Sequence, residues 1–195
     1  MTTIMGKRIM DEKKQELEQF ELIKRTRTLI ISGEINQKCA ERVSNQLLYL
    51  QEIGSDPIKI IINTQGGHVE AGDTIHDIIK FVKPRIIMIG TGWVASAGII
   101  IYLAAEKKNR YSLPNTRYLI HQPSGEMIGV ASDIEIEANE INKMRKRLYQ
   151  IISEATGQPL KKIEKDTDRN FWLNAKEAVA YGIVTHIITN IKEIS

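Results

Sequence analysis

The chain has 195 residues, a net charge of +3 and a hydrophobic fraction of 42%. That length is one domain of ordinary size, and that composition is enough for a real core. The charge is too small, and the bases too mixed with acids, for a nucleic-acid surface, and the single cysteine, Cys39, excludes an intrachain disulfide.

Residues 1–25 are charged, with a weak amphipathic pattern in Leu17, Phe20, Leu22 and Ile23. They read as an N-terminal arm, and 26–195 as a single domain. Thr28–Ile35 is a strand. Asn36 then caps a helix that carries Ala40, Val43, Leu47 and Leu50 on one face. Ile58–Asn63 is a second strand, closed by the turn Thr64-Gln65-Gly66-Gly67. A helix over 68–82 points Ala71, Ile75, Ile78, Ile79 and Val82 inward. A strand over 85–92 and a helix beyond Ser96 follow, then two β-rich segments at Arg110–Leu113 and Thr116–Gln122. This alternation predicts a largely parallel sheet with helices on its faces.

Ser132-Asp133-Ile134-Glu135 has the form of a capping box opening a long helix that Gly157 ends. Ile134, Ala138, Ile141, Met144, Leu148, Ile151 and Ala155 recur along it at spacings of three or four. The Gly-rich, strand-like GEMIGVASD precedes it. So long a stripe is either a core helix or an oligomerisation arm packed on a second subunit. A short helix follows over Pro159–Lys165, then the polar DTDRN. A last helix begins at the capping box Asn174–Glu177 and ends at Gly182. GIVTHII closes the chain as a strand.

The chemistry concentrates between Arg85 and Pro123. Ser96 lies between Ala95 and Ala97, where a strand-like run gives way to a helical one. His121 ends a second β-rich run 25 residues further on. A hydroxyl on a strand-to-helix turn and an imidazole at a strand end are parts that serine acyl transfer needs. A helix start beyond the serine leaves N–H groups free for an oxyanion. Three other readings stand beside this one. The uncharged run Ile86–Ala105 has the length of a membrane span, but holds three glycines and a serine. The small residues around Ser96 serve tight packing alone, since Val94 breaks the G-x-S-x-G elbow. His121 is a core histidine bonded to backbone. His68, His76, His121 and His186 are scattered without ligand spacing, and no P-loop occurs, so neither metal nor nucleotide is expected in this chain. No charged-then-apolar leader is read at the start, and a cytoplasmic setting is expected.

ASAG around Ser96, RYLIHQP around His121, DIEIEANEI, TGQPLKKIEKDTDRNF and NAKEAVAYGIV together resemble the proteolytic subunit of the Clp protease, the ClpP family. The resemblance runs in uninterrupted order over about residues 28–190. It implies an α/β fold of the ClpP/crotonase-like spiral type, with a protruding handle at about 124–156. It implies a serine endopeptidase, closed inside two stacked seven-membered rings, that degrades unfolded polypeptide supplied by a Clp AAA+ ATPase. ATP would then be used by the partner, with no cofactor in this chain, no nucleic acid and no membrane. Residue by residue, the resemblance makes Ser96 the nucleophile, His121 the general base, and the N–H groups of Gly67 and Ala97 the oxyanion hole. Asp168 and Arg169 match a pair that joins ring to ring.

Three departures stand out. Asn170 replaces the family's third triad residue, an aspartate. Lys59 and Ile61 stand where aromatic residues help form the ATPase pocket, and Gln65 replaces a proline. The arm lacks the common axial-loop sequence. Buried lysine is disfavoured in an apolar pocket, so an indirect link to the ATPase stands beside direct docking. The departures suggest a divergent copy, weak alone and working in a homo-oligomer or a mixed oligomer with another ClpP subunit. A non-catalytic subunit of such a complex is the alternative, and a crotonase-type acyl-CoA enzyme is a further one.

Overall fold

β-Branched residues at alternate positions build the central sheet. In the computed structural model, which describes residue 14 and residues 17–125 and 128–194, β1 (Thr28–Ile35), β2 (Ile58–Gly67) and β3 (Ile86–Ala95) pair in parallel. Leu29, Ile31, Ile58, Ile60, Ile62 and Met88 are fully buried on the inner face. Ile87, Ile89, Tyr111 and Ile188 form a smaller cluster on the other face, with Ile61 packed against it. Period-two alternation thus gives the sheet two apolar sides.

Two helices cover the inner face, α2 (Gln37–Glu52) and α3 (Val69–Phe81). The expected cap of α2 is present: the Cys39 N–H donates to Asn36 Oδ1 at 3.0 Å. Ahead of β1, residues 17–26 form a helix, α1. Its Ile23 packs against the core, and Phe20 lies 4.8 Å from the Tyr49 ring.

β3 ends at Ala95, and after Ser96 alone α4 (Ala97–Leu103) starts. The expected membrane-length run is therefore a strand followed by a short helix, and among the described residues no helix is long and apolar enough to cross a membrane. β3 also forks. Met88–Gly90 pair with β4 (Arg110–Ser112), whereas Trp93–Ala95 pair with β5 (Arg117–Ile120). β4 goes on to pair with the two-residue β7 (His186–Ile187), and β5 pairs antiparallel with β6 (Phe171–Asn174).

Beyond β5 lie α5 (Ala131–Thr156), α6 (Leu160–Asp166) and α7 (Ala175–Tyr181). The 26 residues of α5 span about 39 Å. Gly157, at φ 81°, ends it in the left-handed conformation. The Asn174–Glu177 capping box is formed in full.

Four expectations need correction. The turn read at Thr64–Gly67 is strand: β2 continues to Gly67, because Glu34 and Ile35 of β1 pair with Gly66 and Gly67. The strand read at 85–92 likewise runs on to Ala95, held by β5. Val130, not Ser132, precedes α5: the Asp133 and Ile134 N–H groups both bond its carbonyl, which draws Ser132 into the first turn. Finally, the described residues 121–125 and 128–130 contain no strand, so the strand expected in the handle is not formed there. Strand bonds need a neighbour, and no strand of this chain pairs with that segment among the described residues. Residues 126–127 of that expectation lie outside the described set.

Candidate active site

Ser96 is the hinge between β3 and α4. Its backbone has φ 56° and ψ −123°, a conformation disfavoured for a residue with a Cβ and associated with about 1–3 kcal/mol of strain. Two contacts hold it there. The Ser96 N–H donates to the Leu119 carbonyl at 3.0 Å. Behind it runs Gly66, where an added Cβ would come within 2.6 Å of Ser96 Cβ and 2.8 Å of the Ala95 oxygen. Only a glycine admits this approach, and its φ of 96° also requires one.

His121 follows β5 directly. Its Nε2 lies 2.8 Å from Ser96 Oγ, at hydrogen-bond distance. The β5–β6 ladder pairs Ile120 with Phe171 in antiparallel register, so one step further His121 faces Asn170. Burial pushes the His121 imidazole below the usual histidine range, and the polar side chain of Asn170 partly offsets it. Three residues from three separate segments are thus brought into one line: Ser96, His121 and Asn170.

Gln122 secures the loop that carries Asn170, and the residue types alone gave no reason to single it out. Its N–H donates to the Thr167 carbonyl at 2.7 Å, and its side-chain Nε2 donates to the Asp168 carbonyl at 2.9 Å. Its position directly after His121 is the one signal in the sequence. Asp166 is committed elsewhere, to Lys162 and to the Tyr181 hydroxyl. Asp168 and Arg169 are exposed in the loop before Asn170.

Ala97 follows the serine in the chain, and Gly67 follows Gly66, the glycine packed on the serine. The N–H of Ala97 is the first of α4, where the helix offers no acceptor. Gly67 follows the glycine that touches Ser96, and an added Cβ there would collide with the Ile35 carbonyl. Beside the Ser96–His121 pair is an apolar recess lined by Val69, Ile100, Ile120, Pro123, Leu148 and Ile152. Two of these, Leu148 and Ile152, come from α5. Their part in the site is not visible in the periodicity of that helix. Lys59 and Ile61 are half-buried at the opposite face of the sheet, and Lys59 lines a separate depression with Ile87, Ile191 and Ile194.

A serine hydroxyl on a tight strand-to-helix turn, hydrogen-bonded to an imidazole beside an apolar recess, has the parts of a serine hydrolase. The Clp protease family model matches residues 11–191 of the chain. The chain is 56% identical over 188 residues to the ATP-dependent Clp protease proteolytic subunit 3 of Rhizobium meliloti, covering 94% of this chain and 96% of the relative. It is 54% identical over 171 residues to the proteolytic subunit 2 of Pseudomonas aeruginosa, covering 88% and 85% of the two chains. Among solved structures, ClpP1 from Listeria monocytogenes superposes with a TM-score of 0.82 at 60% identity, covering 90% of this chain and 98% of that one. An asparagine-to-aspartate variant of the same protein gives a TM-score of 0.85 at 61% identity, with the same coverage. The chain belongs to the Clp protease family of serine peptidases and has the ClpP spiral fold.

Proposed function

We propose that this chain is a peptide-bond-cleaving subunit in which Ser96 attacks the substrate carbonyl. His121 Nε2 takes the hydroxyl proton and returns it to the leaving amine. The N–H groups of Gly67 and Ala97 bind the oxyanion as it develops. Water then releases the acyl-enzyme by the same route in reverse. Asn170 accepts from the far ring nitrogen and fixes the productive tautomer, without the charge an aspartate would add to stabilise imidazolium. The observation that carries the reading is the 2.8 Å bond between His121 Nε2 and Ser96 Oγ. The recess beside it is lined by apolar side chains.

The neutral third group makes the isolated chain a weak peptidase. Its full activity belongs to a closed double-ring particle, formed with its own copies or with another ClpP subunit, into which a Clp ATPase passes unfolded polypeptide. Relatives named as subunits 2 and 3 agree with an organism that carries several copies. The exposed start of α5, with Ile134 and Ile136, and the Asp168–Arg169 pair supply ring-to-ring contacts. The setting is cytoplasmic.

The test is hydrolysis of a fluorogenic peptide by the pure chain, with and without a second ClpP subunit, alongside particle mass in solution. Slow hydrolysis alone and faster hydrolysis in the mixed particle are expected. A mixed particle whose activity is unchanged by Ser96→Ala in this chain would make it a scaffold.

A further inference from the structure

We infer that Thr64 is a positioning residue for the two oxyanion donors, Gly67 and Ala97; this rests on the acyl-transfer reading of Ser96. Thr64 sits where the sheet loses register twice. Between β1 and β2 the pairing passes from Ser32↔Asn63 to Glu34↔Gly66, so β2 carries one residue more than β1. Between β2 and β3 it passes from Ile62↔Gly90 to Thr64↔Val94, so β3 carries two more than β2. Such slips leave backbone groups without regular ladder partners and bend the strands. The ends of β2 and β3 meet there, Gly66 against Ser96 and Ala97.

The Thr64 side chain, fully buried, fills this junction with both of its branches. Its hydroxyl donates to the Gly33 carbonyl in the β1 slip and accepts from the Gly66 N–H at 3.0 Å. One oxygen thus ties β1 to the glycine that lies on Ser96. Its methyl faces the first turn of α4, so closely that a Cβ on Gly98 would collide with Thr64 Cγ2. The strand bearing Gly67 and the helix bearing Ala97 are therefore both gauged against this one side chain. Gly66 completes the link, since an added Cβ there would lie 3.1 Å from the Ala97 nitrogen. Two donors on different elements help an oxyanion only if their separation is set before the reaction begins. Serine keeps the hydroxyl, valine keeps the shape, and alanine keeps neither.

The test uses Thr64→Val, Thr64→Ser and Thr64→Ala in the assembled, active particle. For Thr64→Val, kcat should fall about 10–100-fold while KM stays within about twofold, because a displaced donor weakens the transition state and not the ground state. The Ki of a peptide aldehyde, whose adduct with Ser96 carries the oxyanion, should rise by the same factor. Binding of a non-covalent product peptide should not change. Thr64→Ser should keep most of kcat and of aldehyde affinity. Should the valine protein fail to fold, the Ser/Ala pair makes the same comparison, with hydroxyl kept and lost. A valine protein within twofold of the parent overturns the positioning role. So does a fall in kcat with no change in aldehyde affinity, or a serine protein no better than alanine. If the parent itself ignores the aldehyde and keeps its activity in Ser96→Ala, the acyl-transfer reading falls, and this role with it.

Discussion

At the level of single residues, the pKa of His121 sets the working range of the site. Burial disfavours the charged imidazolium, so the folded pKa lies below the unfolded one. A base must be neutral to accept the serine proton. Activity should therefore be lost only as pH falls through a value below the ordinary 6.5 or so of free histidine. The effect on stability has the same sign. Below about 6.5 the unfolded chain takes up this proton first, and stability declines as pH falls toward the folded pKa. Asn170→Asp places a carboxylate beside the far nitrogen, which favours imidazolium. It should raise turnover by about tenfold or more, within the roughly 10⁴-fold range of aspartate-to-asparagine changes in another serine protease. It should also move the acid limb of kcat/KM to higher pH. Turnover of a fluorogenic peptide at matched particle mass checks both. Equal or lower turnover with an unmoved acid limb would make Asn170 fully competent as it stands.

Among the elements, α5 divides into two halves that differ in burial. Leu148, Tyr149 and Ile152 are buried against the chain's own core, with Met144 and Ile151 packed beside them. Ile134 and Ile136, by contrast, are 40% and 59% exposed. Of the two readings open in the sequence, core helix holds for the half around Leu148 and Ile152. Two substitutions should separate the halves. Leu148→Ala should lower stability by about 2–5 kcal/mol, the range for large-to-small core changes. Ile136→Glu should leave thermal unfolding of the subunit nearly unchanged but shift sedimentation toward single rings or smaller species. A double ring that survives Ile136→Glu would show that this half meets no partner. The element order was legible because strands and helices differ in apolar period. Capped ends such as Asn36, Gly157 and Asn174 were legible too, but other boundaries were not. β2 reaches Gly67, β3 reaches Ala95, and α5 starts after Val130, because neighbouring strands and backbone carbonyls, not local residue types, fix those ends.

For the whole molecule, the spiral was legible only through the resemblance to the ClpP family, whereas Ser96 and His121 stood out by residue type and local setting. The supports did not. Thr64, Gln122 and Leu148 act through contacts between segments distant in sequence, as in the 46-residue separation of Gln122 from Asp168. Arg110 belongs with them: its guanidinium donates to the carbonyls of Leu103, Ala105 and Ala155, tying the end of α4 to that of α5. These contacts tie distant segments of the subunit together behind the serine. If Ser96 is the nucleophile, a fluorophosphonate will label it, which intact mass and peptide mapping can read. One phosphonyl group per chain on Ser96 is predicted, with none in Ser96→Ala, which should assemble normally and hydrolyse no peptide. Mapping of the adduct to another residue, or peptide hydrolysis retained by pure Ser96→Ala, would remove Ser96 from the mechanism.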